Sequence, residues 1–415
     1  MRKIKLSLND MLLLLVVFGG FLVFGFSENI KGPAIPRMQA DFHLDEGQLG
    51  LLLALNSLGY LVACSFTSAL SRRIGIKWTG VAAFGSMAIS GVLMHVASGY
   101  GALSASYFLM YIGNGMLEIG LAIMAARIFT RNTGTMMNVA HFFYGLSSIV
   151  APLIAASMMG WHAPGGGELG WRGMYLIMLS LAVLPILPSL WGKFPEEELQ
   201  TSEAQASYHA LLRDPIAWLI VAILSFGVIS ELAVGSWLVN FLEKAYGWSM
   251  GDASGMLSVF FLFFTLARLF LGPVTDRIGY TLSVMIFSAF SGLCSLAAVL
   301  IGESGAILFA IAGAGIAPIY PTVMAMVAKR YPRGTDTAIT FTVTLMGIAS
   351  VLGNLFIGYI IEFVRGMFDD SEGGSAPGQL IGLQAGYVFI AGMALLCSVC
   401  CIMLYAVLRR RGETV

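Results

Sequence analysis

Stretches of about 20 mostly apolar residues recur from one end of the chain to the other, and no other feature restricts its fold so severely. A helix of that length crosses a ~30 Å hydrocarbon layer. A soluble domain carries about 25% charged residues, whereas only 11% of these 415 residues are charged and 58% are hydrophobic. The sequence therefore predicts an all-α membrane protein whose first partner is the lipid bilayer. Most of its 49 glycines lie inside the apolar runs, where small residues let helix backbones approach closely. That pattern favours a packed bundle over isolated anchors.

Polar punctuation divides the runs into twelve spans, near 10–31, 48–70, 77–98, 102–127, 136–159, 172–192, 215–241, 252–274, 281–301, 304–328, 337–363 and 384–408. The longest polar connection, 193–214, separates an N-terminal six-helix half (1–192) from a C-terminal one (215–415). With both termini inside, 17 of the 23 Lys and Arg residues fall on the cytoplasmic side, five outside (Lys31, Arg37, Arg172, Lys244, Arg365) and Arg268 within a span. This asymmetry sets the expected topology. The acidic loop of Asp369, Asp370 and Glu372 then lies outside, and the expected location is the cell inner (cytoplasmic) membrane.

Several function classes drop out. The 23 basic and 23 acidic residues cancel, leaving no basic surface for nucleic acid. Cys64, Cys294, Cys397, Cys400 and Cys401 all sit in apolar stretches, so they read as packing residues and no metal site is expected. The basic start followed by an apolar run from Met11 resembles a leader, but the run is too long and continues through Glu28, Asn29 and Pro33, so it is read as a first span. No nucleophile–base spacing or phosphate-binding glycine loop points to an enzyme, and no cofactor beyond a coupling proton is expected.

The two halves echo each other. Between spans two and three stands Ser68-Ala-Leu-Ser-Arg72-Arg73-Ile-Gly75, and between spans eight and nine Gly272-Pro-Val-Thr-Asp276-Arg277-Ile-Gly279. The second copy resembles the G-x-x-x-D-R-x-G signature of the major facilitator superfamily, which implies twelve helices in two pseudo-symmetric halves. Arg73, Gly75, Gly272, Asp276, Arg277 and Gly279 are expected to form a conformational latch, with glycine for the bend and a carboxylate beside a guanidinium as a charge contact that opens and closes. The bland alternative is that the cations only set topology.

Ionisable side chains in hydrocarbon cost at least a few kcal/mol, so each is a functional candidate unless it reaches the interface. Glu118 lies deep in span four, in Asn114-Gly-Met-Leu-Glu118, where a carboxylate can bind and release a proton as access alternates. Glu28 and Lys31 are one turn apart in span one and suit an ion pair, with Asn29 facing another way. Glu231, Trp237 and Asn240 follow one another along span seven. A carboxylate, an indole and an amide suit a polyhydroxylated solute, and His141 with Tyr144 extends the set. Expected substrate-binding residues are therefore Glu28, Asn29, Asn114, His141, Glu231, Trp237 and Asn240, with Glu118 as the proton carrier.

Five fragments carry a narrower resemblance: Gly25-Phe-Ser-Glu-Asn29-Ile-Lys-Gly-Pro33, Gly113-x-Gly-x-x-Glu118, His141-x-x-Tyr-Gly145 leading to Pro152, Gly227-x-x-x-Glu231 with Trp237, and Ala317-Pro-Ile-Tyr-Pro321. Together they resemble the fucose permease-like family. The resemblance implies proton-coupled sugar uptake, with a fourth-span Glu linked to the proton, which Glu118 matches, and a first-span Asp in the substrate and proton pathway. At the latter position this chain has Asn29, with Glu28 one residue earlier. The expectation is a monomeric secondary transporter that moves a sugar or similar small polar solute with protons by alternating access. The alternatives are a proton-driven exporter of drug-like or amphipathic compounds, suggested by 23 Met and 27 Phe, and a non-transporting solute sensor, which the short loops and tail disfavour.

Overall fold

Ser7 opens the first helix. Its hydroxyl accepts from the Asp10 N–H at 3.1 Å while the Asp10 carboxylate accepts from the Ser7 N–H at 2.9 Å, a reciprocal cap that fixes where the apolar run begins. The computed structural model describes residues 7–128, 133–162, 166–194, 208–332, 335–368 and 376–412. Outside the described residues lie most of the 193–214 connection, the acidic loop of Asp369, Asp370 and Glu372, and the cations Arg2, Lys3, Lys5, Arg131 and Arg333.

The helices, in chain order, are α1 (Leu8–Asn29), α2 (Lys31–Phe42), α3 (Glu46–Val96), α4 (Tyr100–Ile128), α5 (Thr133–Met159), α6 (Gly170–Ser180), α7 (Val183–Trp191), α8 (Tyr208–Arg213), α9 (Pro215–Tyr246), α10 (Met250–Ile278), α11 (Tyr280–Ile301), α12 (Ile307–Ile316), α13 (Ile319–Arg330), α14 (Thr335–Phe368) and α15 (Ala376–Arg410). No β-strand occurs among the described residues. Eleven helical stretches are long and apolar enough to cross a membrane, and one of them, the 51-residue α3, is two spans joined at Gly75. Counting it twice gives the twelve spans that the sequence predicts.

The joints have local causes. Gly75 adopts φ 83°, ψ 154° and Gly279 φ 90°, ψ 148°, a region open almost only to glycine, so the repeated motif bends the chain identically in both halves. The first span runs past its expected end at residue 31, because α2 continues to Phe42 beyond a joint at Ile30. Lys31 is not a boundary residue: it is buried, and its ammonium is neutralised by Glu28 one turn back. Span ten breaks between α12 and α13, where Pro318 and Pro321 each remove a backbone donor.

The chain forms two compact units. Unit 1 comprises Met1–Phe42 and Leu55–Leu199, and unit 2 comprises His43–Ala54 and Gln200–Val415. Within unit 1, α1 packs on α4, α5 and α7; within unit 2, α9 packs on α10, α14 and α15, and α11 on α12 and α15. The opening turns of α3 thus belong to unit 2. There a Cβ on Gly50 would stand 2.9 Å from both the Asn354 carbonyl oxygen and Gly358 Cα, so the two backbones touch.

Candidate functional site

In unit 1 the polar side chains of α1, α2 and α4 converge on one carboxylate. Lys31 Nζ donates to Glu28 Oε1 and lies 3.0 Å from the Tyr111 hydroxyl. Tyr111 donates to Glu28 Oε1 at 3.4 Å, and Asn114 Nδ2 faces Glu28 Oε2 at 3.4 Å. The other end of the Asn114 amide accepts from Ser27 Oγ at 2.7 Å. Lys31 also sits over the Tyr111 ring, 5.4 Å from its centre. Below this layer Tyr107 and Tyr175 share a hydroxyl–hydroxyl contact, fully buried. The result is a carboxylate held by one ammonium and two neutral donors, in a place where an unpaired charge would cost several kcal/mol.

One turn further along α4, Glu118 accepts a hydrogen bond from the Tyr60 hydroxyl of α3. Gly115 makes that contact possible: a Cβ there would stand 2.7 Å from the Tyr60 carbonyl oxygen, so only glycine lets α3 and α4 approach this closely. Asn29 turns away from the cluster, donating to the Gly25 carbonyl at 2.8 Å and to Ser148 Oγ on α5 at 3.0 Å. Its amide is used in helix packing. His141 is exposed on α5 with its ring 5.0 Å from that of Phe21, and Tyr144 packs on Phe24. The structure therefore gathers Glu28, Asn114 and Glu118 along one face of α4 and leaves Asn29 and His141 outside that group.

Unit 2 is built differently. Glu231 on α9 lies 3.8 Å from the Arg268 guanidinium of α10, a loose pair. Arg268 Nε donates to the Ala317 carbonyl at 3.2 Å and its guanidinium stacks 4.3 Å from the Phe264 ring centre. In a regular helix that carbonyl would accept from residue 321, but Pro321 has no N–H, so Arg268 supplies the missing donor. Trp237 and Asn240, at 1% and 0% exposure, bury the indole N–H and both amide ends without a hydrogen-bond partner among the described residues.

The expected latch is not closed in this structure. Arg73, Gly272, Asp276 and Arg277 are exposed, and no hydrogen bond or ion pair joins Asp276 or Arg277 to another described residue. Consecutive residues on a helix point in different directions, so Arg277 cannot serve as the partner of Asp276. Gly75 and Gly279 supply the matched bends. A charge cluster that sequence reading missed lies elsewhere in unit 2. Glu46, 2% exposed, receives Lys244 at 3.1 Å and Arg365 at 2.6 Å, and Arg365 also reaches Glu362 at 2.8 Å. Lys244 and Arg365 were legible only as loop cations, because their partner is far away in sequence.

A sequence profile of the Major Facilitator Superfamily matches residues 17–353 and, in a second match, 230–415. The chain belongs to the Major Facilitator Superfamily. This superfamily member is a multi-pass membrane transporter and not an enzyme. The gentisate transporter of Corynebacterium glutamicum is 24% identical to it over 87% of this chain and 84% of its own length. Its fold matches that of a bacterial homolog of the human lysosomal transporter Spinster, crystallised inward-facing and unoccupied, at a TM-score of 0.80 and 13% identity over 97% of this chain and 98% of that one. The E. coli fucose:proton symporter shares the fold at a TM-score of 0.63 and 17% identity, over 95% of this chain and 99% of that one.

Tyr60, Tyr111 and Ser27 escaped sequence reading. Tyr111 carries a weak signal, standing one turn before Asn114 on a helix that also holds Glu118. Tyr60 and Ser27 carry none, since a tyrosine or serine in an apolar run is ordinary.

Proposed function

We propose that this transporter couples uptake of a small polar solute, a sugar or a hydroxylated relative of one, to the inward movement of protons across a bacterial inner membrane, with both termini cytoplasmic and Glu118 as the proton-carrying group. One observation carries the reading: a membrane-embedded carboxylate, Glu118, faces the neutral hydroxyl of Tyr60 one helical turn from the polar cluster of Glu28, Lys31, Tyr111 and Asn114. A carboxyl beside a hydroxyl can be satisfied in either protonation state, because the hydroxyl both donates and accepts. Next to such a group, solute and proton occupancy are energetically linked. The name of one similar protein, a fucose:proton symporter, agrees with this class.

The test is solute-driven proton movement in proteoliposomes of the purified protein. A solute that alkalinises the external medium in unmodified vesicles should fail to do so with Glu118→Gln, while exchange of labelled for unlabelled solute persists. Solute movement without proton flux in the unmodified protein makes this a uniporter and sinks the coupling.

A further inference from the structure

We infer that Lys31, Tyr111 and Asn114 are a carboxylate receptor, occupied by the chain's own Glu28 in this structure, and that the transported solute carries a carboxylate that takes Glu28's place. The inference rests on the proton-symport reading and names its substrate class: small monocarboxylates, hydroxylated ones included.

Three features of the cluster point there. Its donors are those a carboxylate needs: an ammonium from α2 with a phenol and a primary amide from α4, all on one carboxylate. Stability does not call for such a set, since buried ion pairs can commonly be replaced by apolar residues of similar volume at no loss. The fit of Glu28 is also incomplete. Tyr111 and Asn114, both on α4, stand 3.4 Å from its oxygens, beyond the usual 2.7–3.2 Å: a side chain tethered to α1 and held by Lys31 stops short of α4. A free carboxylate has no such tether. Glu28 is moreover the more exposed member of its ion pair, with 13% of its side-chain surface accessible against 7% for Lys31, so the displaceable partner is on the accessible side.

The charge count closes without a further ion. Adding one carboxylate on Lys31 and one proton on Glu118 leaves the sum unchanged. The other titratable groups near Glu28 are phenols: Tyr107 and Tyr111 on α4 and Tyr175 on α6. From α5, His141 and Tyr144 pack on the α1 rings Phe21 and Phe24, from α2 Arg37 and Asp41 lie further along the chain, and α7 has no titratable residue. A neutral sugar would leave Lys31 with Glu28 and gain nothing from the ammonium.

The experiment compares gluconate, lactate and benzoate with glucose in proteoliposomes under an inward proton gradient, with the membrane potential clamped at zero or set negative inside. At least one carboxylate should accumulate about tenfold or more over glucose, at a rate unaffected by the potential. Lys31→Gln should lose about a hundredfold of that uptake, while Lys31→Arg retains most of it. Because Lys31→Gln strands Glu28, the double variant Glu28→Gln/Lys31→Gln is tested beside it. It should remain folded by thermal unfolding and yet lose carboxylate uptake. Failure of all three carboxylates to accumulate, or unchanged uptake in the double variant, overturns the receptor. Proton-driven accumulation of glucose alone overturns it and leaves the symport reading standing; carboxylate uptake without proton flux sinks the symport reading and leaves the receptor.

Discussion

The membrane-embedded polar groups of unit 1 answer one another, with Lys31, Glu28, Tyr111, Asn114 and Ser27 closing a chain of contacts across three helices, whereas in unit 2 Ser230, Trp237 and Asn240 follow along α9 with buried polar atoms that no described residue satisfies. The exceptions in unit 1 are Asn56 and Ser71 on α3 and Ser104 on α4. Both units descend on the same helical plan and the same glycine bends, so the difference lies in what their spans carry. Paired groups hold a geometry. Unpaired ones cost about 1–3 kcal/mol each.

The largest effect expected from breaking this comparison is at Lys31. Lys31→Leu leaves Glu28 as a lone buried charge and should cost about 3–5 kcal/mol, seen as a large fall in the thermal midpoint of the detergent-solubilised protein, with much of it recovered in Glu28→Leu/Lys31→Leu. Next come the bends. Gly75→Ala and Gly279→Ala should each cost about 2 kcal/mol, and nearly the same amount, because the two backbones adopt the same strained region in the two units. A third pair of variants separates the units directly. Asn114→Leu should lower the midpoint by removing an acceptor of Ser27 and a donor to Glu28, while Asn240→Leu should leave it unchanged or raise it and weaken solute affinity about tenfold, or 1.4 kcal/mol. Equal falls in midpoint for both would mean that Asn240 is structural. The smallest effect is at Arg268. Arg268→Lys keeps a cation near Glu231 but loses the Nε bond to Ala317, and should cost about 1 kcal/mol in the same unfolding measurement.

The spans were legible because apolar length is a one-dimensional signal, and the repeated bends because Gly75 and Gly279 act through their own backbone; the break at Pro318 and Pro321 falls inside a span read as continuous. The candidate site was legible only where a residue type is costly in lipid: Glu28, Glu118, Glu231 and Asn240 announce themselves, while Tyr60, which touches Glu118, is chemically unremarkable in its own run. Lys31 was read as the end of a span although its pairing with Glu28 was legible from their one-turn spacing; what the spacing could not show is that the pair is buried. Glu46 was invisible for a third reason. Its partners Lys244 and Arg365 are about 200 and 320 residues away, and nothing local marks the pairing.

That last cluster bears on how the chain can be divided. A cut in the 193–214 connection would leave residues 43–54 on the first fragment and the residues they pack against on the second. The two pieces, made separately, would therefore not be two finished objects: the first would carry a short peptide, with Glu46 at its head and Gly50 one turn behind, that belongs inside the other. Fragment complementation in this protein should depend on that peptide as a tenon depends on its mortise, and swapping halves between relatives should succeed only when residues 43–54 travel with the C-terminal piece that receives them.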